Sequence, residues 1–446
     1  MTYPESNQQI QAALEQVWDK GRAVANMERW LTICSKEGWG QYPENISLLA
    51  AIFGSSWYFT RFIFYRGREI AEYVDDPAPD NVDVTHLKSR LISSTEDGDL
   101  EDRIENLRVH KNEFMFRILL VWLTGQFNQE QTEQALTNLA EATLWTTMQI
   151  LTSEYQYSDA EIVILGMGRM AGHEMNFGSD LDLIFLYPGN AHGASAGMIK
   201  QIQLLLRHIA LPSPNGILYE IDMRLRPHGT SGTLISPAPY FVEYHTAQRE
   251  VWERQMMTRC RPVIDDTGGL GEQSLRAIAA AIYQKYDTSY LRSEITQMRQ
   301  RVEKELGNPK GKYEIKRGSG GIMDIDFITH YLQLLHGCDQ IELRTPGTRS
   351  ALRNLAEAGI VSVKKCRELL DAYDFLKRIE NCLRIMDLKN VSAFSQNPDD
   401  VHALARAMNH MDENADMAAK QFLAQYNEVT HRIRDNFNEL VGEITG

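Results

Sequence analysis

The chain has 446 residues, of which 43% are hydrophobic and 24% charged, the balance of an ordinary globular protein with room for two or three domains. A formal net charge of -14 argues against non-specific nucleic-acid binding, which needs a broad basic surface, and leaves only a local basic site for a nucleotide. The five cysteines (Cys34, Cys260, Cys338, Cys366, Cys382) are scattered without a Cys-x-x-Cys pair, so free thiols in a reducing cytoplasm are expected rather than a zinc site or disulfides.

The first residues, Met1 to Ser6, are polar and lack the apolar core of a signal peptide. Helical spacing of apolar residues then predicts helices over Gln8–Cys34 and Leu48–Tyr73. Within the second, Leu48–Tyr65 is strongly apolar. Gly54-Ser55-Ser56 and Arg61 interrupt it, so it reads as a buried helix broken by a turn and not as a membrane span. Asp75 to Asn81, with Pro77 and Pro79, is a breaker. Helices resume over Leu100–Thr124 and Gln129–Glu154. The pattern switches to strands at Glu161–Leu165, which runs into Gly166-Met167-Gly168, and again at the strand that opens with Asp180 and Asp182 and continues as the apolar run Leu183–Tyr187. Pro188–Gly197 reads as a loop, Met198–Ala210 as a helix, Pro212–Gly216 as a tight connection and Leu218–Arg226 as another strand. From Gly269 helices dominate again, over Gln273–Gly307, Gly321–His336, Gly347–Ala358, Val363–Met386 and Asp412–Val441. The expected class is α+β and predominantly helical. A helical region over residues 1–125 precedes a small mixed-sheet domain over 126–268 and a helical bundle over 269–446.

The most informative segment is Gly178-Ser179-Asp180-Leu181-Asp182, followed by the apolar run Leu183–Tyr187. Side chains alternate along a strand, so Asp180 and Asp182 point the same way. Two adjacent carboxylates repel, and a divalent cation between them removes the conflict; an all-oxygen set suits Mg²⁺ better than Zn²⁺. The Gly-Ser in front offers close backbone approach and a hydroxyl for a phosphate. A lone Asp-x-Asp is more often a turn or cap, but here an apolar strand follows and a second acidic strand lies downstream. This arrangement resembles the active-site strand of polymerase-β-type nucleotidyltransferases.

That downstream strand, Leu218–Arg226, alternates strictly, with Glu220, Asp222, Arg224 and Arg226 on one face. Placed beside the first, it adds Asp222 as a third carboxylate for metal and catalysis. Arg224 and Arg226 then become cationic forks for triphosphate oxygens, surface ion pairing being the alternative. Gly166, Gly168 and Gly172 allow backbone N–H groups to meet phosphate, or simply make a tight turn. Glu174 has no assigned role and His173 reads as a loop residue. A further constellation, Lys316-Arg317-Gly318-Ser319-Gly320-Gly321, opens a helix that carries Asp324 and Asp326. Capping explains Asp324, whereas Lys316 and Arg317 are candidates for contact with nucleotide or protein substrate.

Taken together, Gly166–Arg169, Gly178–Phe185, Asp222–Gly229, Trp252–Gln255 and Gly320–Phe327 look like the signature of glutamine synthetase adenylyltransferase/adenylyl-removing enzymes. Phe53–Tyr58 and Leu107–Glu113 resemble the helical region that precedes their catalytic domain. The resemblance implies a nucleotidyltransferase domain over 126–268 and a cytoplasmic regulator of nitrogen assimilation. Such an enzyme transfers AMP from ATP, with Mg²⁺, to a tyrosine hydroxyl of glutamine synthetase. It implies glutamine synthetase and a PII-type signalling protein as partners, with neither nucleic acid nor membrane. Its site would comprise Asp180, Asp182 and Asp222 as catalytic and metal residues, and Gly166, Gly168, Gly178, Ser179, Arg224 and Arg226 around the nucleotide. The family carries two such units, one transferring AMP and one removing it by phosphorolysis, and this chain has one. It departs further at Arg169, where the family has Lys, at Ala171-Gly172 for Gly-Gly, and at Asp326 for Glu. Met323 and Asp324 fit the transferring half, whereas Met167 and Asn176-Phe177 look more like the removing half. Transfer is the reading taken, with removal, or a nucleotide-binding regulatory module without catalysis, as alternatives.

Overall fold

Apolar periodicity carries through the N-terminal region, but capping residues divide it into shorter helices. The computed structural model describes residues 3–444 apart from 40–42, 79–80, 157–160, 190–193, 248, 387, 411 and 413. The expected helix Gln8–Cys34 is two, Tyr3–Glu15 and Lys20–Glu37, because the Asp19 side chain accepts a hydrogen bond from the Arg22 backbone at 2.9 Å and starts a new helix. Leu48–Tyr73 is likewise three, Ile46–Ser55, Trp57–Arg66 and Arg68–Asp75, divided at the capping Ser56 and at Gly67 with φ 64°. The break after Asp75 follows the sequence, and Pro79 and Asp80 lie outside the described residues, as does part of the expected 188–197 loop. A helix over Val84–Ser93, which the periodicity had not marked, packs with Leu100–Leu123 and Gln129–Tyr155. Among the described residues no helix is long and apolar enough to cross a membrane.

The sheet has five strands: β1 (Val163–Met167), β2 (Leu181–Tyr187), β3 (Ile221–Asp222), β4 (Ser236–Pro237) and β5 (Cys260–Asp265). Its order is β3-β2-β1-β5, with β4 beside the far end of β2. β1 runs antiparallel to both neighbours, while β3 and β4 run parallel to β2, which makes the sheet mixed. The helix Leu270–Ile282 packs on β1 and β5, and Ala238–Thr246 on β2. Cover on the sheet explains why β1 and β2 read as continuous apolar runs instead of alternating ones. β5 carried no clear strand signal, because Arg261 and Pro262 interrupt it.

Two further segments depart from the expected pattern. The strand Leu218–Arg226 is only Ile221–Asp222. Beyond it the Asp222 side chain accepts a hydrogen bond from the Arg224 backbone at 2.8 Å, and this local turn ends the strand before the alternation can continue. Arg224 and Arg226 therefore do not share a strand face with Asp222. Gln273–Gly307 is also two helices, Leu270–Ile282 and Thr288–Leu306, the second capped by Asp287.

The C-terminal half continues with helices Ile322–His336, Thr348–Glu357, Val363–Arg384, Pro398–Ala407 and Ala415–Leu440. A short antiparallel ladder of β6 (Lys312–Glu314) and β7 (Ala393–Ser395) joins them. It meets the sheet domain through buried charge. Glu174, in the turn between β1 and β2, and Asp326, on the helix Ile322–His336, are both buried and share Arg169 and Arg259. Thr348 donates to Asp326 at 2.8 Å, and Tyr373 to Glu174 at 2.9 Å. Burial alone would raise the Glu174 carboxyl, but Arg259, Arg169 and Arg349 overcome it and hold it down at about 2. Removing one of its charged members would unbalance buried charge, so the network ties the two halves together.

Candidate active site

The site forms where β2 begins. Asp180 precedes the strand, Asp182 is its second residue, and the parallel register sets Asp182 opposite Asp222 on β3. One oxygen from each of the three carboxylates lies within 4.8 Å of the others. Burial, reinforced by the Asp180 and Asp222 charges, pushes the Asp182 carboxyl up to about 7, while Lys316 and Arg224 pull the other way. The three negative charges are thus mutually unfavourable without a cation. Small, hard oxygen donors that converge from two adjacent strands fit a Mg²⁺-type ion.

The sequence-predicted residues fall into distinct positions around this cluster. Gly168 has φ 55°, and a side chain there would stand 3.0 Å from Asp182 Oδ2. The glycine thus leaves the carboxylate clear. Its own N–H donates to the Arg259 carbonyl at 3.0 Å, so this amide belongs to the turn. Gly166 lies within β1, where a side chain would meet Val263 at 2.8 Å. Gly178 has φ 62° and lies against the Leu388 backbone, which a Cβ would approach to 2.8 Å. The buried Ser179 hydroxyl accepts from the Asn176 backbone at 2.9 Å and from Arg384 at 3.1 Å, fixing the turn that aims Asp180.

Arg224 folds back on Asp222, with Nε at 2.8 Å and 3.0 Å from its two oxygens. This hydrogen bonding pulls the Asp222 carboxyl below its usual range. The Arg224 side chain is 77% exposed while paired with Asp222. Arg226 donates instead to the Met223 carbonyl at 2.8 Å, to Thr230 at 3.2 Å and to Gly232 at 3.3 Å, and so holds the loop 223–232. Asp324 is fully buried and binds Arg299, Arg434 and the Gly320 N–H, the last at 2.8 Å, which makes it the anchor of the glycine turn. Lys316, on the same turn, brings positive charge within electrostatic reach of Asp182. Arg317 lies against Glu314 at 3.8 Å. Glu174 takes its place in the buried network. His173, with φ 55°, receives Gln134 at 2.9 Å.

Three contributors lacked any sequence signal. Asn390 donates from Nδ2 to Asp180 Oδ1 at 3.1 Å, across 210 residues of chain. Arg384 reaches Ser179 from the helix Val363–Arg384, and Arg259 joins Glu174 to Asp326. None belongs to a motif that the sequence marks, Arg259 lying just beyond Trp252–Gln255, and only the folded chain brings them in.

A mixed sheet whose central strand opens with Asp-x-Asp, beside a strand that adds a third carboxylate, is the layout of a nucleotidyltransferase domain set among helices. Residues 46–277 match the family model of glutamate-ammonia ligase adenylyltransferase, and residues 290–441 match that of GlnD PII-uridylyltransferase. The chain belongs to the glutamate-ammonia ligase adenylyltransferase family. Among curated proteins it is similar to the bifunctional glutamine synthetase adenylyltransferase/adenylyl-removing enzyme of Chromobacterium violaceum, 30% identical over 79% of this chain and 40% of that one. It is also similar to the proteins of the same name from Nitrosomonas europaea, at 32% over 70% of this chain and 34% of the relative, and Nitrosomonas eutropha, at 33% over 67% and 33%. The chain therefore spans 33% to 40% of the length of these relatives.

Proposed function

We propose that this chain is a cytoplasmic Mg²⁺-dependent nucleotidyltransferase unit that moves AMP from ATP to a tyrosine hydroxyl of glutamine synthetase. The observation that carries this is the convergence of Asp180, Asp182 and Asp222 at the start of β2 and on β3, in a chain whose relatives are named for that activity. The three carboxylates would hold Mg²⁺, which when bound supplies charge neutralisation at the transferring phosphate. Asp182, whose carboxyl is raised by burial and by its two acidic neighbours, is the carboxylate most in need of a cation. Asp222 is kept ionised by Arg224, and in the transfer step it would orient and accept the proton of the attacking hydroxyl. Arg224, whose side chain is exposed, would turn from Asp222 to the nucleotide's phosphates once the cation takes its place beside that carboxylate. Arg226 would shape the loop beneath them. Gly168 and Gly178 keep the approach free of side chains, and Ser179 holds the turn.

Support for a PII-type partner comes from the second half. Residues 290–441 match the GlnD PII-uridylyltransferase model and dock on the sheet domain through Asp326, Thr348 and Tyr373.

The test is direct. The purified chain is incubated with Mg²⁺, labelled ATP and unmodified glutamine synthetase, and in parallel with AMP-modified glutamine synthetase and inorganic phosphate. Label on glutamine synthetase supports transfer. ADP released only in the parallel reaction would replace transfer by phosphorolytic removal. Nucleotide binding without turnover in either would refute both.

A further inference from the structure

The carboxylate site is not made by the sheet domain alone. Among the described residues between the helix Val363–Arg384 and β7, Leu388 and Asn390 lie against the Gly178–Asp180 turn. The described part of this connection is held on three sides. The Ser56 hydroxyl donates to the Ile385 carbonyl, and the Trp57 and Tyr58 backbones donate to the Met386 carbonyl at 2.8 Å and 3.3 Å. Arg384 donates to the Val391 carbonyl at 3.3 Å, and the next residue, Ser392, accepts from the Ile315 backbone at 2.9 Å. Between these anchors the Leu388 backbone, with φ 51°, lies so close to Gly178 that a methyl group there would stand 2.8 Å away. At its end the Asn390 amide donates to Asp180 Oδ1 at 3.1 Å.

This geometry gives Asp180 a partner that a strand-end carboxylate would otherwise lack. An amide donor on one oxygen restrains the rotation of the carboxylate, and with it the direction in which Asp180 presents its oxygens to the cluster. Partners that orient a metal-binding carboxylate in this way govern cation affinity without touching the ion. Asn390 is neutral, so it orients Asp180 without cancelling its charge.

We infer that the described residues of 385–391 form a positioning strap and that Asn390 sets the cation affinity of the Asp180–Asp182–Asp222 site from the C-terminal half of the chain. The inference rests on the proposed metal-dependent reading of that site. It makes the active centre composite, because N-terminal helices, sheet turn and C-terminal helices must be docked together for Asp180 to face the ion.

The experiment uses the full chain, with Mn²⁺ as probe and no nucleotide, and reads free Mn²⁺ by electron paramagnetic resonance. Asn390→Ala is expected to weaken Mn²⁺ binding by about tenfold with the melting temperature of the metal-free chain unchanged. Asn390→Gln, which keeps an amide donor, should recover part of the loss. Gly178→Ala, which supplies no ligand, should also weaken binding by crowding Leu388. Mn²⁺ affinity equal to wild type in both Asn390→Ala and Gly178→Ala would overturn the strap while leaving the metal site standing. Wild type that binds Mn²⁺ no better than Asp182→Asn would overturn the metal reading itself, and the strap with it.

Discussion

Asp182→Asn separates what the carboxylate cluster does for function from what it does to stability. Asp182 accepts no hydrogen bond from any described residue, so the amide breaks none. Its carboxyl is pushed from the ordinary 3.8 up to about 7, with burial the largest cause and Asp180 and Asp222 next. A folded-state pKa raised above the unfolded value means that the native chain holds the proton more tightly between those limits. Stability is then lost as pH rises from about 4 through about 7, and above 7 the full penalty of ionising Asp182 is present. At about 1.36 kcal/mol for each tenfold change in proton affinity, the penalty is on the order of 4 kcal/mol. The Asp182→Asn side chain carries no ionisable group and escapes it at every pH. For 446 residues unfolding cooperatively, an entropy near 2 cal/mol/K per residue converts this into roughly 4 °C. In EDTA at pH 8 the variant should therefore melt a few degrees above wild type, and at pH 4 the two should coincide. Saturating Mg²⁺ should raise the wild-type melting temperature through preferential binding to the native state and leave the variant nearly unmoved. Differential scanning fluorimetry at two pH values, with and without Mg²⁺, reads all four numbers. A variant that melts below wild type at pH 8 in EDTA would refute the electrostatic account, and one still stabilised by Mg²⁺ would refute the ligand assignment.

Two further outcomes are expected. Gly168→Val places a branched side chain at φ 55° with its Cβ 3.0 Å from Asp182 Oδ2; calorimetry should find weaker Mn²⁺ binding together with a stability loss of about 1–2 kcal/mol. Glu174, held at about 2 against the ordinary 4.5, contributes stability that is complete above about pH 4.5 and lost as pH falls toward 2. Glu174→Gln should lose on the order of 3 kcal/mol at pH 7 and show a flatter decline in acid by urea unfolding.

Which parts of this molecule were legible in the sequence follows from how local their causes are. Asp180 and Asp182 declare themselves as a pair, because two carboxylates two residues apart at the mouth of an apolar run repel each other, although Asp180 precedes β2 and is placed by the turn that Ser179 holds and not by strand alternation. Asp222 was legible from strand alternation, and the register Asp182–Asp222 brings it in. The alternation rule then overreached. It carried the strand on to Arg226, whereas the Asp222 side chain turns the chain at Arg224 and sends Arg226 to its own loop. The short side chain that makes Asp a metal ligand also makes it a turn former, and a pattern of apolar and polar positions cannot weigh one against the other.

The remaining gap is one of distance along the chain. Arg259 meets Glu174 across 85 residues and Asn390 meets Asp180 across 210. In the sequence each is an ordinary polar residue. Asp324 and Asp326 read alike on paper, two residues apart in one motif. The first turns inward to Arg299 and Arg434 and holds the glycine turn. The second faces Arg169 and Arg259 and holds the sheet domain. That division gives the Gly320–Phe327 motif a physical meaning. Its glycines allow the turn that follows Lys316, whose charge is felt at Asp182; there Gly320 has φ 67° and lies against the Thr430 backbone. Its two acids fasten that turn to the helices behind it and the sheet before it. The motif therefore acts on the carboxylate cluster by placement, so changes within it should disturb docking of the two halves before they disturb any contact with substrate.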